Sequence, residues 1–396
     1  MNIWTAIHIV DILLWLVMAV NVLYIFVFSI ASLLPRRKTK HSTSRQPSFL
    51  VLYPAYKEDT VILDSVKTFL KQDYPRERYH VAVISDHMRQ ETNAELASLP
   101  ITLLQPQFEK SSKAKALQYA IQSTGQSPLL PDYVVILDAD NVVEPDFLTL
   151  LSKVAVKDEA IQCHRTAKNS NNDIAALDGL SEEINNSIFR RGHNRLGMSS
   201  ALIGSGMCFP YYWFMENVHN LDSAVEDREL EALLMRQGVF IRYAEDILVM
   251  DEKVSNSDNF QRQRLRWMTG QVQAFFRMLP YIPKAIATLN INYIDKTLQQ
   301  ALIPRSILLV LPPILALLAT LTFHFSPLTS HPTPLFWWAL VFILALSLFI
   351  AIPSRLRSSA LIGKAFALPA LVWRMVCNLF HINPKSKEFI HTTHNR

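Results

Sequence analysis

Two carboxylates one residue apart, Asp138 and Asp140, close the apolar run Val134-Val135-Ile136-Leu137. A β-branched run of this kind reads as a buried parallel strand, and ligands bind at the carboxyl end of such strands in open α/β sheets. Acids this close repel each other unless a cation holds them. A hard divalent ion does so with oxygen ligands and keeps positions for substrate phosphates. Further on, Ser223-Ala224-Val225-Glu226-Asp227-Arg228-Glu229 concentrates acids where a helix should begin. The spacing predicts Ser223 and Glu226 as a capping box and Gly238 as the residue that ends the helix. In Gln261-Arg262-Gln263-Arg264-Leu265-Arg266-Trp267 a helix puts Gln263, Arg266 and Trp267 on one face, with Arg262 beside Arg266. Guanidinium groups next to an indole suit a ligand made of phosphates and a ring; they also suit a face turned to anionic headgroups.

The elements that must position these residues alternate. Ser48–Tyr53 reads as a strand, Pro54–Asp59 as a turn and 60–72 as a helix with apolar spacing at Ile62, Val66, Phe69 and Leu70. Tyr79–Ile84 is a second strand ending in Ser85-Asp86, and Lys113-Ala114-Lys115-Ala116-Leu117 opens another helix. Strand–helix alternation argues for an α/β fold with a mostly parallel sheet. With nine glycines there is neither G-x-G-x-x-G nor a P-loop, and Gly204-Ser205-Gly206 lacks the third glycine. Dehydrogenase and P-loop readings therefore lose their phosphate cradle. A metal held by carboxylates, with nearby lysines, can neutralise a diphosphate instead.

The chain has 396 residues, half of them hydrophobic, and a formal charge of +5. The apolar residues gather at the two ends. Ile12–Leu34 is long enough to span a bilayer and is followed by Pro35-Arg36-Arg37-Lys38-Thr39-Lys40 rather than a cleavage site, which predicts that the segment after it is cytoplasmic. Ile307–Phe325 and Leu335–Ile352 are two further spans joined by a loop at 326–334. Pro280–Gln300 reads as an interfacial helix. The stretch 359–380 is interrupted by Lys364, Pro369 and Arg374, and three spans put the basic tail inside, so it is expected as an interfacial or re-entrant helix. The expected division is 1–34 first span, 35–47 basic linker, 48–279 cytoplasmic α/β domain, 280–300 interfacial helix, 301–353 two spans, and 354–396 interfacial helix with basic tail. Cys163, Cys208 and Cys377 lie far apart, which predicts neither a disulfide framework nor a zinc site and suits a reducing compartment.

Taken in order, these motifs resemble the membrane-bound family 2 glycosyltransferases, the group that includes cellulose, hyaluronan and poly-N-acetylglucosamine synthases and ceramide glucosyltransferases. Pro54-Ala55-Tyr56-Lys57-Glu58 resembles P-A-Y-N-E, Ser85-Asp86 stands at the base-contacting aspartate, and Lys113-Ala114-Lys115-Ala116-Leu117 is similar to G-K-A-x-A-L. Asp138-Ala139-Asp140 matches D-x-D, Val225-Glu226-Asp227 matches T-E-D, and Gln263-Arg264-Leu265-Arg266-Trp267 is a full Q-x-x-R-W. Three departures fall in the donor loops: Lys57 for asparagine, Ser85 for an acid or alanine, and Ser112 for glycine.

The resemblance implies a GT-A type, Rossmann-like fold and an inverting mechanism. Tyr56, Glu58, Asp86 and Asp138 are then expected to hold the uridine of a UDP-sugar, with Pro54 and Ala55 in the same donor loop. Asp140, with Asp138, is the expected ligand of Mg2+ or Mn2+. Lys113, Gln263, Arg266 and Trp267 would attend the leaving diphosphate. Asp227, with Glu226 as the alternative, would be the general base. Gly204, Ser205, Gly206 and Trp267 would border the acceptor, a lipid or a growing polysaccharide. Membrane lipids, and assembly with itself or an export partner, fit this setting; nucleic acid does not. The implied location is a cell membrane, the inner one in a bacterium, crossed several times. A transporter or channel component would need intramembrane charges, and the spans hold little beyond Asp11. A metal-dependent nucleotidyltransferase would leave Gln263-x-x-Arg266-Trp267 without a purpose.

Overall fold

Side-chain alternation sorts the core. Along the first strand Phe49, Val51, Tyr53 and Ala55 enter one apolar layer and Leu50 and Leu52 the opposite one, as a period of two requires. The structure, a computed structural model, describes residues 3–36, 46–125, 130–155, 158–169, 173–223, 225–253, 257–323 and 333–357. The expected interfacial stretch 359–380, most of the basic linker and almost all of the 326–334 loop lie outside them.

Among the described residues eight strands form one sheet. They are β1 (Phe49–Tyr56), β2 (Tyr79–Asp86), β3 (Thr102–Leu104), β4 (Tyr133–Ile136), β5 (Val142–Val143), β6 (Glu159–Ala167), β7 (Met207–Pro210) and β8 (Phe240–Asp251). Their order is β3-β2-β1-β4-β7-β6-β8-β5. β3, β2, β1 and β4 are parallel, β7 runs against both β4 and β6, and β8 pairs parallel with β6. The expected mixed, mostly parallel sheet is what forms. β1 runs through Pro54, Ala55 and Tyr56, which pair with Ile84, Ser85 and Asp86 of β2, so the turn expected from Pro54 begins three residues later, at Lys57. Both strands thus end side by side next to the acids that follow β4.

Among the described residues three helices are apolar and long enough to cross a membrane: Thr5–Ala31, Arg305–Thr322 and Pro334–Ala351. The first helix is continuous from Ile3, so it starts well before the expected Ile12 and includes Asp11. That carboxylate accepts a hydrogen bond from the Trp337 indole at 2.9 Å. A third apolar cluster joins these helices to the helical run 173–196, where Ile184 and Ile188 meet Phe28, Leu308 and Trp337. Residues 186–192 of that run are a π-helical segment, the kind of local rewinding found at functional sites.

The segment expected at the interface, 280–300, forms a short helix (Ile282–Ala287) and a longer one (Ile291–Ala301). Its polar residues face inward: Asp295, Lys296, Thr297, Gln299 and Gln300 are buried, while Ile286, Leu289, Ile291 and Leu298 are exposed. Tyr24 of the first helix donates to Asp295 at 2.7 Å, tying this helix to the N-terminal one. Cys163 and Cys208 are free and buried.

Candidate active site

Lys113 is the hub. It opens the helix Lys113–Thr124, and Ser112 caps that helix by accepting from the Lys115 amide at 3.2 Å. A serine in place of glycine here has a local purpose. The Lys113 ammonium donates to Asp138 Oδ1 at 2.5 Å and to the Gly204 carbonyl at 2.6 Å, and it lies 3.3 Å from Glu226 Oε1. Burial alone would lower its pKa, but Asp138 and Glu226 outweigh burial and hold it firmly cationic. One ammonium therefore joins the D-x-D strand end, the 204–206 loop and the acid helix.

The acid helix, Glu226–Arg236, contradicts the expected capping box. Its N-cap is Val225, without a side-chain bond, and Glu229 rather than Glu226 accepts from the Ser223 amide, at 3.0 Å. Glu226 turns inward to Lys113 because that buried cation outcompetes a solvated cap. Burial, reinforced by Asp227, raises the Glu226 carboxyl above the usual carboxylate range although Lys113 pulls it down. Asp227 Oδ1 accepts from the Arg228 amide at 2.8 Å. Its Oδ2 lies 3.8 Å from where a side chain on Gly204 would begin. Gly204 has φ +71°, so glycine both takes the left-handed turn and keeps this space open. The helix ends as predicted: Gly238 has φ +72° and Val239 bonds back to Leu234 at 2.9 Å.

Within the 204–206 loop it is Gly204 that borders the acids. Ser205 is fully buried and its hydroxyl donates to Asn141; Gly206 packs against Val249 and Cys163. Asp140 is buried with 7% exposure, accepting from the Glu252 amide at 2.9 Å and the Asn141 side chain at 3.1 Å. Asp138 is about one-third exposed. Among the described residues no three His, Cys, Asp or Glu cluster as a ready-made metal cage. Two carboxylates still fit Mg2+ or Mn2+, which need only one or two beside diphosphate oxygens and waters.

At the donor edge Asp86 is buried, and His87 Nδ1 sits 2.5 Å from its Oδ1. Lys57 and His87, at φ +56° and +54°, follow the paired ends of β1 and β2. Lys57 lies 5.2 Å over the Tyr56 ring, and that ring meets His87 edge-on at 5.7 Å. Left-handed backbone at two non-glycine residues is a local cost of the sort concentrated at binding sites. The amide of Glu58 donates to Met88 Sδ. Pro54 and Ala55 belong to the strand itself, and Ala55 is core. Ser85 is explained structurally: buried, it donates to Asn93 at 2.5 Å.

The helix Ser257–Met278 brings Arg266 under the charges of Glu226, Asp138 and Asp227; burial lowers its pKa and these acids oppose that. Gln263 Oε1 is buried and accepts no hydrogen bond from the described residues. Arg262 does not join Arg266 but is exposed. Arg264 was the missed residue. Its guanidinium lies 4.5 Å from the Trp267 ring centroid and pairs with Asp178, so the indole's cation comes from position 264. The cation at 264 is visible in the sequence; its direction follows from the buried Asp178.

A lone glycine sets how closely this helix approaches the acids. A Cβ on Gly270 would stand 2.5 Å from Val225 Cγ1, one residue before Glu226. Gly270→Ala should lower kcat at least about tenfold by displacing Arg266 and Trp267, since small misplacements of positioning groups are costly. Adding Val225→Ala should restore most of it. Steady-state kinetics with melting temperatures checks this, and an active single variant, or a double variant no better than the single one, would refute the contact's role.

The profile of the family described as Glycosyltransferase like family 2 matches residues 47–270, more than half of the chain. The chain belongs to that family. This glycosyltransferase is also 24% identical over 262 residues to an Arabidopsis thaliana protein named "Probable glucomannan 4-beta-mannosyltransferase 14", covering 61% of this chain and 48% of that protein. It therefore spans about half the length of that curated relative. Among solved structures it is similar to a mannosyltransferase from Pyrobaculum calidifontis in complex with GDP-Man and Mn2+. The TM-score is 0.54 at 16% identity, covering 96% of this chain and all of that one. That likeness supports the GT-A-like fold.

Proposed function

We propose that this glycosyltransferase is a membrane-anchored, inverting enzyme that moves a sugar from a nucleoside diphosphate sugar to an acceptor hydroxyl at the membrane surface. The observation that carries this is Lys113, which gathers Asp138, Glu226 and Gly204 at the mouth of a parallel strand, with Asp227 facing the same opening. Asp86 accepts from the base, a uracil on this reading, and Tyr56 offers a ring beside it. Asp138 and Asp140 would hold Mg2+ or Mn2+ on the diphosphate; such an ion supplies Lewis-acid stabilisation of the leaving oxygens. Lys113 and Arg266 add fixed positive charge where the diphosphate leaves, and Gln263 adds a hydrogen-bonding group. Asp227 takes the proton of the acceptor hydroxyl as that oxygen bonds to C1 and the diphosphate departs from the opposite face. The product has inverted configuration, a β-linkage from an α-linked donor.

The exposed apolar side chains of 282–301 and the three long apolar helices suit a catalytic domain seated on lipid, and we assign it to the cytoplasmic face from the arginines that flank those helices. GDP-mannose is the second donor to test, because the solved relative was captured with GDP-Man. Membranes holding the protein should be incubated with a panel of nucleotide sugars and the products separated by mass spectrometry. Release of UDP with a new glycoside is the expected result. Release of GDP would replace the base assignment, whereas release of pyrophosphate, or no turnover at all, would overturn glycosyl transfer.

A further inference from the structure

Behind the active-site acids lies a buried polar layer whose charges are mostly matched. Arg165 lies 2.8 Å from Glu182 and 3.4 Å from Asp251, and Lys253 donates to both acids. Arg190 lies 3.7 Å from Glu182, and Arg264 pairs with Asp178. Arg305 differs from all of these. It starts the second apolar helix, and its guanidinium donates to the carbonyl and hydroxyl of Ser181 at 2.9 and 3.0 Å. No carboxylate among the described residues forms an ion pair with it. The charges that act on it are Arg264 and Arg190, which repel, and Glu182, which Arg165, Lys253 and Arg190 already share. A guanidinium so placed at the edge of an apolar helix is costly unless an anion completes it.

The position narrows the anion. Arg264 extends the cationic pair toward the catalytic face, because the same guanidinium lies over Trp267. Arg305 stands at the end of a candidate span, where a helix crossing a bilayer would meet the headgroups. A forked N–H array with remaining donors matches phosphate oxygens. We propose that Arg305, assisted by Arg264, binds a phosphate group carried by the acceptor, which makes the acceptor a phosphorylated lipid. This rests on the reading above, in which the acceptor hydroxyl is presented at the membrane surface.

Binding can be tested apart from turnover. The full-length protein in a maltoside detergent, without donor, is titrated with octadecyl monophosphate, with octadecanol and with inorganic phosphate, and occupancy is read by native mass spectrometry. Octadecyl phosphate should bind about 10–100-fold more tightly than octadecanol, the worth of a charge-assisted pair. Arg305→Gln should erase that difference and Arg305→Lys should keep part of it. Arg357→Gln should change nothing, since Arg357 is exposed and bonds to backbone carbonyls. UDP affinity of each variant reports folding. If Arg305→Gln does not fold, competition in the parent protein decides. Inorganic phosphate that displaces octadecyl phosphate at equal concentration would mean a soluble phosphate site and overturn the lipid assignment. Equal binding of octadecyl phosphate and octadecanol would overturn the anion site altogether. Failure of glycosyl transfer would register separately, as a parent protein that binds octadecyl phosphate yet releases no nucleoside diphosphate from any donor.

Discussion

Asp227→Asn is expected to slow sugar transfer about 10²–10⁴-fold while UDP still binds, the loss that follows removal of a general base. The alternative account of Asp227, an acid decorating a helix N-terminus, predicts only about 0.3–1 kcal/mol of lost stability. Asparagine can still accept from the Arg228 amide, so the turn itself has little reason to open. Glu226→Gln separates the two acids. It removes a partner of Lys113 and should weaken diphosphate handling as well as turnover. Because Glu226 holds its proton to a higher pH than an ordinary carboxylate, it protonates early as pH falls, and Lys113 then loses that partner. The parent kcat/KM should therefore decline on its acid side above the usual carboxylate range, and Glu226→Gln should lose that limb. The measurements are nucleoside diphosphate release against pH, UDP affinity and melting temperature. If Asp227→Asn melts normally and transfers sugar within a few-fold of the parent, the base is not Asp227, and Glu226 becomes the candidate.

What the sequence makes legible is what depends on local pattern. Val134–Leu137 running into Asp138 and Asp140 announces its own strand, and the apolar run Ile12–Leu34 announces the first helix, though not its start at Ile3. The chain also places Lys113 at a helix start. What it conceals are partners chosen by the fold. Ser223 and Glu226 satisfy a local capping rule, yet Glu226 is drawn away by a lysine from another element. Arg262 and Arg264 are chemically the same on one helix, and only the buried Asp178 decides that 264 turns inward to the indole. Gly270 carries no periodic signal at all. Buried Glu182, Arg165 and Lys253 look like solvated surface in one dimension, because nothing local says that their charges cancel. These conflicts between local rule and global arrangement gather around the site, where chemistry outranks local preference.

The metal proposal yields the other large effect. Asp140→Asn should cut turnover roughly 10³-fold or more, the scale of several kcal/mol of transition-state charge stabilisation, and should abolish the response to added Mn2+. An amide keeps one oxygen but loses the anionic charge that a hard cation prefers. The substitution has a structural side that must be separated out. Asp140 accepts both the Glu252 amide and the Asn141 side chain, and an amide nitrogen facing one of those donors would cost about 1–3 kcal/mol. Melting temperature measures that loss directly. Electron paramagnetic resonance of Mn2+ in the presence of UDP supplies a readout that does not depend on turnover: the parent should capture the ion and Asp140→Asn should leave it free. Asp138→Asn is the second probe, because it weakens the metal site and frees Lys113 together. Its turnover should fall too, with a weaker grip on Mn2+. A parent enzyme fully active in excess chelator would leave Lys113 and Arg266 as the diphosphate's counter-charges and would remove the ion from the mechanism.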